Sequence, residues 1–382
     1  MAETDSKTEA VPPANKPEPA GTMPKLGHVL LVAFIVGAFA VVWLVAYEAL
    51  NTLIWENNFV ANNRWTIPVG VLFFSLLVGL TEKYLHAPNV IEGGVEHSLK
   101  AEDVSSYKTF WGTLLSSFFS LFSGASLGPE GPLGFLAVQI AQWISAKLKF
   151  AKKGALLASL AGMSSAYNGV VGNPVFTALL ASEVGGGQGG LTLIASTLAA
   201  GAVGFLLFAL LGVPAFAGFM DIGQPVGISL AWAAWAIGLG LLGAVLAVYT
   251  GMAFKILGRI MGVFKDRVIE RVLVAGLIIA VVCYFIPELL FSGESSIHLI
   301  IDNPGQYGVA MLLLMGLLKP LLLALSLKSG YLGGPLFPAL FMAVMVALAI
   351  SLLAPGVPLA ILVACLEVGV VTLLLKAPLT AI

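Results

Sequence analysis

Chemistry in this chain concentrates in Ser123–Gln139, SGASLGPEGPLGFLAVQ, where one acid, Glu130, stands in the frame Gly128-Pro129-Glu130-Gly131-Pro132 with apolar sequence on both sides. Glycine lets the backbone bend and approach a ligand closely, and proline suits the first turn of a helix, where its missing N–H would have been unbonded anyway. The frame therefore reads as a helix start within apolar surroundings. Such a start carries free N–H groups and a partial positive charge, which together make an anion site. Glu130 is then either a fixed acid that caps the helix or a tethered anion that competes for the site.

A second frame of the same kind is Gly333-Gly334-Pro335-Leu336-Phe337-Pro338. Each frame is followed by a loop, a helix and then a broken stretch: AYNGVVGNPVF from Ala166 after the first, LLKAPLTAI from Leu374 after the second. The letters match weakly but the order is the same. It suggests an internal repeat, the first half spanning about 66–211 and the second about 227–382, and inverted repeats of broken helices with a substrate site near midplane are a transporter design.

Other chemistry is thinner. Cys283 and Cys365 lie inside apolar runs and read as packed thiols. His28, His86, His97 and His298 show no spacing that joins two as metal ligands, so no metal and no cofactor is expected. No phosphate-binding glycine loop, catalytic triad or dinucleotide fingerprint is present, which argues against an enzyme. Nucleic-acid binding has no support in the charge pattern.

The elements that must position these residues follow from composition. The chain has 382 residues, 59% hydrophobic and only 10% charged, which defines an all-α integral membrane protein. Residues 1–24 are polar and proline-rich and read as a disordered cytoplasmic tail, with one membrane domain over 25–382. Spanning helices are expected near 28–50 and 66–85, with further apolar segments near 154–167, 174–184, 190–211, 227–262, 269–290, 307–327, 335–353 and 357–375. Interruptions at 123–132 and 168–174 suggest a pathway, because broken helices survive at membrane depth only where protein or a water-filled cavity satisfies their backbone. Basic residues gather at Lys83, Lys100 and Lys108, at Lys147–Lys153, and at Lys255–Arg271, whereas 212–226 and 287–306 hold acids and no lysine or arginine. The positive-inside rule puts the first set and the N-terminus in the cytoplasm, with Glu130 approached from outside a cell membrane.

The frames together resemble the CLC family of chloride channels and chloride/proton antiporters. Gly128-Pro129-Glu130-Gly131-Pro132 is similar to that family's Gly-(Arg/Lys)-Glu-Gly-Pro, Ser165-Ala166-Tyr167-Asn168 to its Ala-Ala-Phe-Asn, Gly334-Pro335-Leu336-Phe337-Pro338 to its Gly-x-Phe-x-Pro, and LLLKAPLTAI to its Arg-Ala-Pro-Leu-Thr-Gly-Ile. FSGESSIHLI from Phe291 is similar to an outer loop of the family. The resemblance implies a CLC-like inverted repeat of tilted and broken transmembrane helices, arranged as a homodimer in the bilayer with one chloride pathway per subunit. It implies that Glu130 gates, that Gly128, Glu130, Gly131, Gly334, Leu336 and Phe337 bind the anion, and that Pro132, Tyr167, Asn168 and Pro338 are motif residues.

Four departures shape the expectation. Pro129 replaces the family's basic residue, and Pro335 removes a second N–H. The best counterpart of the serine-bearing first signature is Glu92-Gly93-Gly94-Val95-Glu96, without a serine in place, and Glu92, Glu96 and His97 read as a polar turn. The antiporters' inner proton glutamate aligns with Leu180, one turn from Glu183, which is either the proton-transfer residue or a helix end before Gly185-Gly186-Gly187. The chain stops at Ile382, inside a segment that precedes the family's closing helices, so these are expected to be missing. Chloride transport as a channel or as an antiporter partnered by protons leads. A transporter of another anion such as fluoride, or a non-conducting truncated membrane protein, is the alternative.

Overall fold

A computed structural model of the chain describes residues 21–88, 106–184, 190–219, 227, 229–375 and 377–381. Most of the 1–24 tail, the 92–97 turn with Lys100, the 185–187 glycines, Asp221 and Lys376 lie outside the described residues.

The chain is helical, and among the described residues β-structure is limited to two isolated bridges. In order, the helices are α1 (Leu26–Trp55), α2 (Asn58–Asn62), α3 (Thr66–Leu85), α4 (Phe110–Phe122), α5 (Glu130–Lys147), α6 (Lys152–Val171), α7 (Pro174–Val184), α8 (Gly190–Leu210), α9 (Leu230–Gly262), α10 (Val268–Phe285), α11 (Glu294–Asp302), α12 (Pro304–Lys328), α13 (Leu336–Leu353), α14 (Leu359–Leu375) and α15 (Pro378–Ala381). Among the described residues seven of them, α1, α3, α8, α9, α10, α12 and α13, are long and apolar enough to cross a membrane, and the chain is a multi-pass membrane protein.

Local sequence accounts for the breaks. α6 ends where Gly172 turns left-handed at φ 67° and its N–H donates to the Asn168 carbonyl, a conformation costly for residues with a Cβ. Asn173 then accepts the N–H groups of Val175 and Phe176 at 2.9 and 3.2 Å, with Pro174 opening α7. The interruption expected at 168–174 is narrower, a capped turn at Gly172 and Asn173, with 168–171 still helical.

α1 packs on α6 and α8, α3 on α10, α9 on α14, and α12 on α13. α5 packs mainly on α6, and α13 on α12 and α14, and most of the length of both is buried. Large apolar side chains along α9, among them Ile237, Leu241, Val245, Val248 and Met252, face outward, as a lipid-facing surface requires.

Candidate functional site

The two helix starts meet. Gly128 N–H donates to the Gly334 carbonyl at 2.9 Å and Gly334 N–H donates back to Gly128 at 2.9 Å, an antiparallel bridge between the segment entering α5 and the segment entering α13. Pro129 and Pro335 occupy the N-cap positions in helical conformation, so each helix begins one residue later. The contact is backbone on backbone: a Cβ at Gly131 would collide with Gly333 and Gly334, and one at Gly128 or Gly334 with the Glu130 carboxylate. Glycine at these positions is what leaves room for the carboxylate.

Glu130 is 7% exposed, and its Oε1 accepts the Leu336 N–H at 2.7 Å. The N–H groups of Glu130 and Phe337 also act on the carboxylate, while Oε2 is buried without a hydrogen-bond partner among the described residues. A negative group thus lies against the positive end of the α13 dipole with one oxygen uncommitted. Of the residues expected to bind an anion, Gly128 and Gly334 have their N–H groups committed to each other. The donors that face the carboxylate are those of Glu130, Leu336 and Phe337.

Buried cations support both segments. Arg271 of α10 is 2% exposed, is ion-paired with Glu82 of α3, and donates from Nε to the Ser329 carbonyl at 3.0 Å. Lys319, in the middle of α12 and fully buried, donates to the carbonyls of Leu289 at 3.1 Å and Phe291 at 2.7 Å and lies 4.7 Å from the Phe341 ring centroid. Phe291 N–H in turn donates to the Gly124 carbonyl at 3.1 Å, which ties this loop to the entry of α5. Ser120 of α4 accepts the Leu332 N–H at 2.9 Å.

Sequence reasoning missed Lys319, the Glu82–Arg271 pair and Ser120. A lysine inside the apolar run 307–327 was a visible signal, because an ionisable residue at membrane depth carries a cost that needs a reason.

The remaining expected residues are spread around this centre. Pro132 and Pro338 occupy the first turns of α5 and α13. Asn168 donates to the Ser164 carbonyl at 2.9 Å and to Thr177 Oγ1 at 3.1 Å, which joins α6 to α7. Tyr167 is buried in the last turns of α6. Glu183 is occupied elsewhere: its carboxylate accepts the N–H groups of Leu379 and Thr380, each at 2.9 Å, and the Thr380 hydroxyl.

A cavity of about 390 Å³ opens between the end of α1, α2, the start of α3 and the 287–296 loop, with Asn51, Trp55, Glu56, Arg64 and Glu294 on its walls. Burial raises the Glu294 carboxyl above its ordinary range, opposed by hydrogen bonds from the Ser292 hydroxyl and from its own N–H and by the charge of Lys319.

Broken membrane helices whose starts converge on a buried acid define a helical membrane protein of inverted-repeat design. A family profile described as voltage gated chloride channel matches residues 86–382, and the chain belongs to that family, the CLC family. Curated relatives include the putative ion-transport protein YfeO of Escherichia coli O7:K1 (strain IAI39 / ExPEC) and that of Escherichia fergusonii, each 25% identical over 265 residues, which is 68% of this chain and 62% of theirs. The chain therefore matches less than two thirds of the length of these relatives.

Among solved structures, a slow cyanobacterial Cl⁻/H⁺ antiporter superposes with a TM-score of 0.75 at 18% identity, covering 93% of this chain and 87% of that one. A CLC-type fluoride/proton antiporter gives 0.74 at 17%, covering 93% and 89%. A eukaryotic CLC transporter gives 0.66 at 15%, covering 93% and 70%. The expected fold class is borne out: all-α, integral to the membrane and CLC-like.

Proposed function

We propose that the chain moves chloride or a similar small anion across the cell membrane, with Glu130 as the gate. The observation that carries this reading is the Glu130 carboxylate itself, held by the Leu336 N–H at a helix start with its second oxygen unbonded. An ionised carboxylate at that place occupies the seat a free anion would take. Protonation removes its charge and with it the attraction to the helix start. The side chain then swings aside, and the N–H groups of Leu336 and Phe337, with those of Glu130 and Gly131, receive the anion. The protein is a transporter or channel in this reading, with no catalytic step. Its N-terminus lies in the cytoplasm, by the loop charges, and it works as a homodimer, by family resemblance.

Proton-coupled exchange is the second reading. It is favoured by two solved structures of the same fold, described as chloride/proton and fluoride/proton antiporters. Fluoride is the alternative cargo, and Glu183 the candidate for the inner proton step, which would require release of its bonds to α15.

The test is anion flux from liposomes for wild type and Glu130→Gln across pH 5 to 8. Wild-type flux is expected to rise as pH falls, because protonation vacates the seat, and Glu130→Gln is expected to flatten that dependence. An unchanged pH profile in Glu130→Gln would sink the gating role. Uphill proton movement driven by a chloride gradient would establish antiport.

A further inference from the structure

The start of α1 is fastened to the turn between α5 and α6. Thr22 N–H donates to the Lys149 carbonyl at 3.2 Å, and the Thr22 carbonyl accepts the Ala151 N–H at 3.0 Å. The His28 ring lies 5.5 Å from that of Phe150. Pro24 lies over Gly154 in the first turn of α6, where a Cβ would meet the proline ring at 2.7 Å. Two stretches far apart in sequence, 21–28 and 143–154, therefore share one end of the bundle.

These contacts gather five lysines. Lys25 immediately precedes α1, Lys147 ends α5, Lys149 lies in the turn, and Lys152 and Lys153 open α6. All five are exposed, and none is ion-paired with a described residue. No acid occurs in 21–28 or 143–154, so nothing within these stretches offsets the charge. Like charges held together repel, a cost that a bound anion removes. The basic cluster at the turn between α9 and α10 differs in this respect, because Asp266 and Glu270 stand among Lys265 and Arg267.

The five lysines also lie at the edge of the hydrocarbon. α1, a spanning helix, begins one residue after Lys25. The neighbouring surface is apolar: Leu26 is 61% exposed, Met23 56%, and Trp143, one turn before Lys147, 48%. Cations beside exposed apolar side chains fit a lipid better than a soluble anion, since phosphate and acyl chains each find a place. Glu130 is at the far end of α5, about 25 Å away at the helical rise, so this collar is separate from the meeting of the two helix starts.

We propose that the collar of Lys25, Lys147, Lys149, Lys152 and Lys153 binds the phosphate of an anionic phospholipid from the adjoining leaflet. The neighbouring apolar side chains face its acyl chains. Bound there, the lipid ties the start of α1 to the α5–α6 turn. This inference does not depend on the transport reading.

The test is isothermal titration of dioctanoyl phosphatidylglycerol, a short-chain anionic phospholipid, into the full chain in nonionic detergent at low salt. Dioctanoyl phosphatidylcholine is the zwitterionic control and should bind at least about tenfold more weakly. Each lysine beside an anionic headgroup is worth about a factor of five, so Lys25→Gln should weaken binding about fivefold and Lys149→Gln/Lys152→Gln about 20-fold. Lys149→Arg/Lys152→Arg keeps the charge and should keep the affinity. These exposed substitutions should leave the thermal midpoint in lipid-free detergent unchanged. Lys255→Gln/Lys265→Gln removes the same charge from the other cluster and should leave the affinity within twofold. No binding of the anionic lipid, or wild-type affinity in Lys149→Gln/Lys152→Gln, overturns the proposal. So does an equal fall in Lys255→Gln/Lys265→Gln, which would make the effect one of net charge. Inorganic phosphate that displaces the lipid at equal concentration would assign the collar to a soluble anion and overturn the lipid assignment.

Discussion

The segments entering α5 and α13 share a plan and divide the chemistry between them. Both turn into their helix through glycine and proline, and they hold each other by the mutual Gly128–Gly334 bonds. The first then presents a carboxylate, and the second presents N–H groups to receive it. An acid on both sides would place like charges together in a low-dielectric site, where only one could ionise. Their supports differ too. The first segment leans on hydroxyls and backbone, with Ser123 bonding to Ser120 and Gly124 accepting from Phe291. The second is braced by a cation, Arg271 on Ser329, while Lys319 holds the 289–291 loop that Phe291 ties to Gly124 of the first. Two helix starts can thus share a backbone geometry while their side chains take different tasks.

If cations brace the two segments, removing them must cost more than ordinary polar substitutions. Arg271→Met should have the largest effect, because it leaves the Glu82 carboxylate buried without its guanidinium partner, a loss of about 3–5 kcal/mol. Unfolding in detergent, followed by circular dichroism, would read this as a large fall in midpoint. Gly131→Ala comes next, at about 3 kcal/mol, because the new methyl meets the backbone of Gly333 and Gly334, which cannot move as a flexible side chain can. Lys319→Met should cost about 2 kcal/mol: it strips the donor from the Leu289 and Phe291 carbonyls but also removes a buried charge, and the two partly cancel. Wild-type stability in Arg271→Met would remove the direct brace from the second segment, and wild-type stability in Lys319→Met would remove it from the loop that supports the first.

What the sequence disclosed was local. Glycine and proline mark helix starts and breaks within a few residues, so the frame of Glu130, the start at Pro335 and the turn at 168–174 could all be read directly. The long apolar runs likewise announced the spanning helices. What stayed hidden depends on distant pairing. Leu336 and Glu130 lie 206 residues apart, Arg271 and Glu82 189 apart, and no periodicity links them. Lys319 stood in plain view within an apolar run, but the carbonyls that justify it belong to a loop 28 to 30 residues away.

The smallest effect concerns Glu183, the other acid singled out from the sequence, and it extends the comparison from the two helix starts to the two carboxylates. Glu130 has one oxygen unbonded, whereas both Glu183 oxygens are engaged by α15, through the N–H groups of Leu379 and Thr380 and the Thr380 hydroxyl, 196 to 197 residues away in the chain. A carboxylate so engaged acts first as a distant cap that fastens α15 to the end of α7. Glu183→Gln keeps one acceptor oxygen and loses the charge, and Thr380→Val removes a hydroxyl donor while leaving the acid. Each should lower stability by about 1 kcal/mol. Because both cut the same contact, the double variant should fall by clearly less than the sum of the two. Additive losses would show that the acid and the threonine act independently. Loss of proton coupling in Glu183→Gln, with coupling intact in Thr380→Val at equal stability, would separate a proton-carrying role for this acid from its role as a cap.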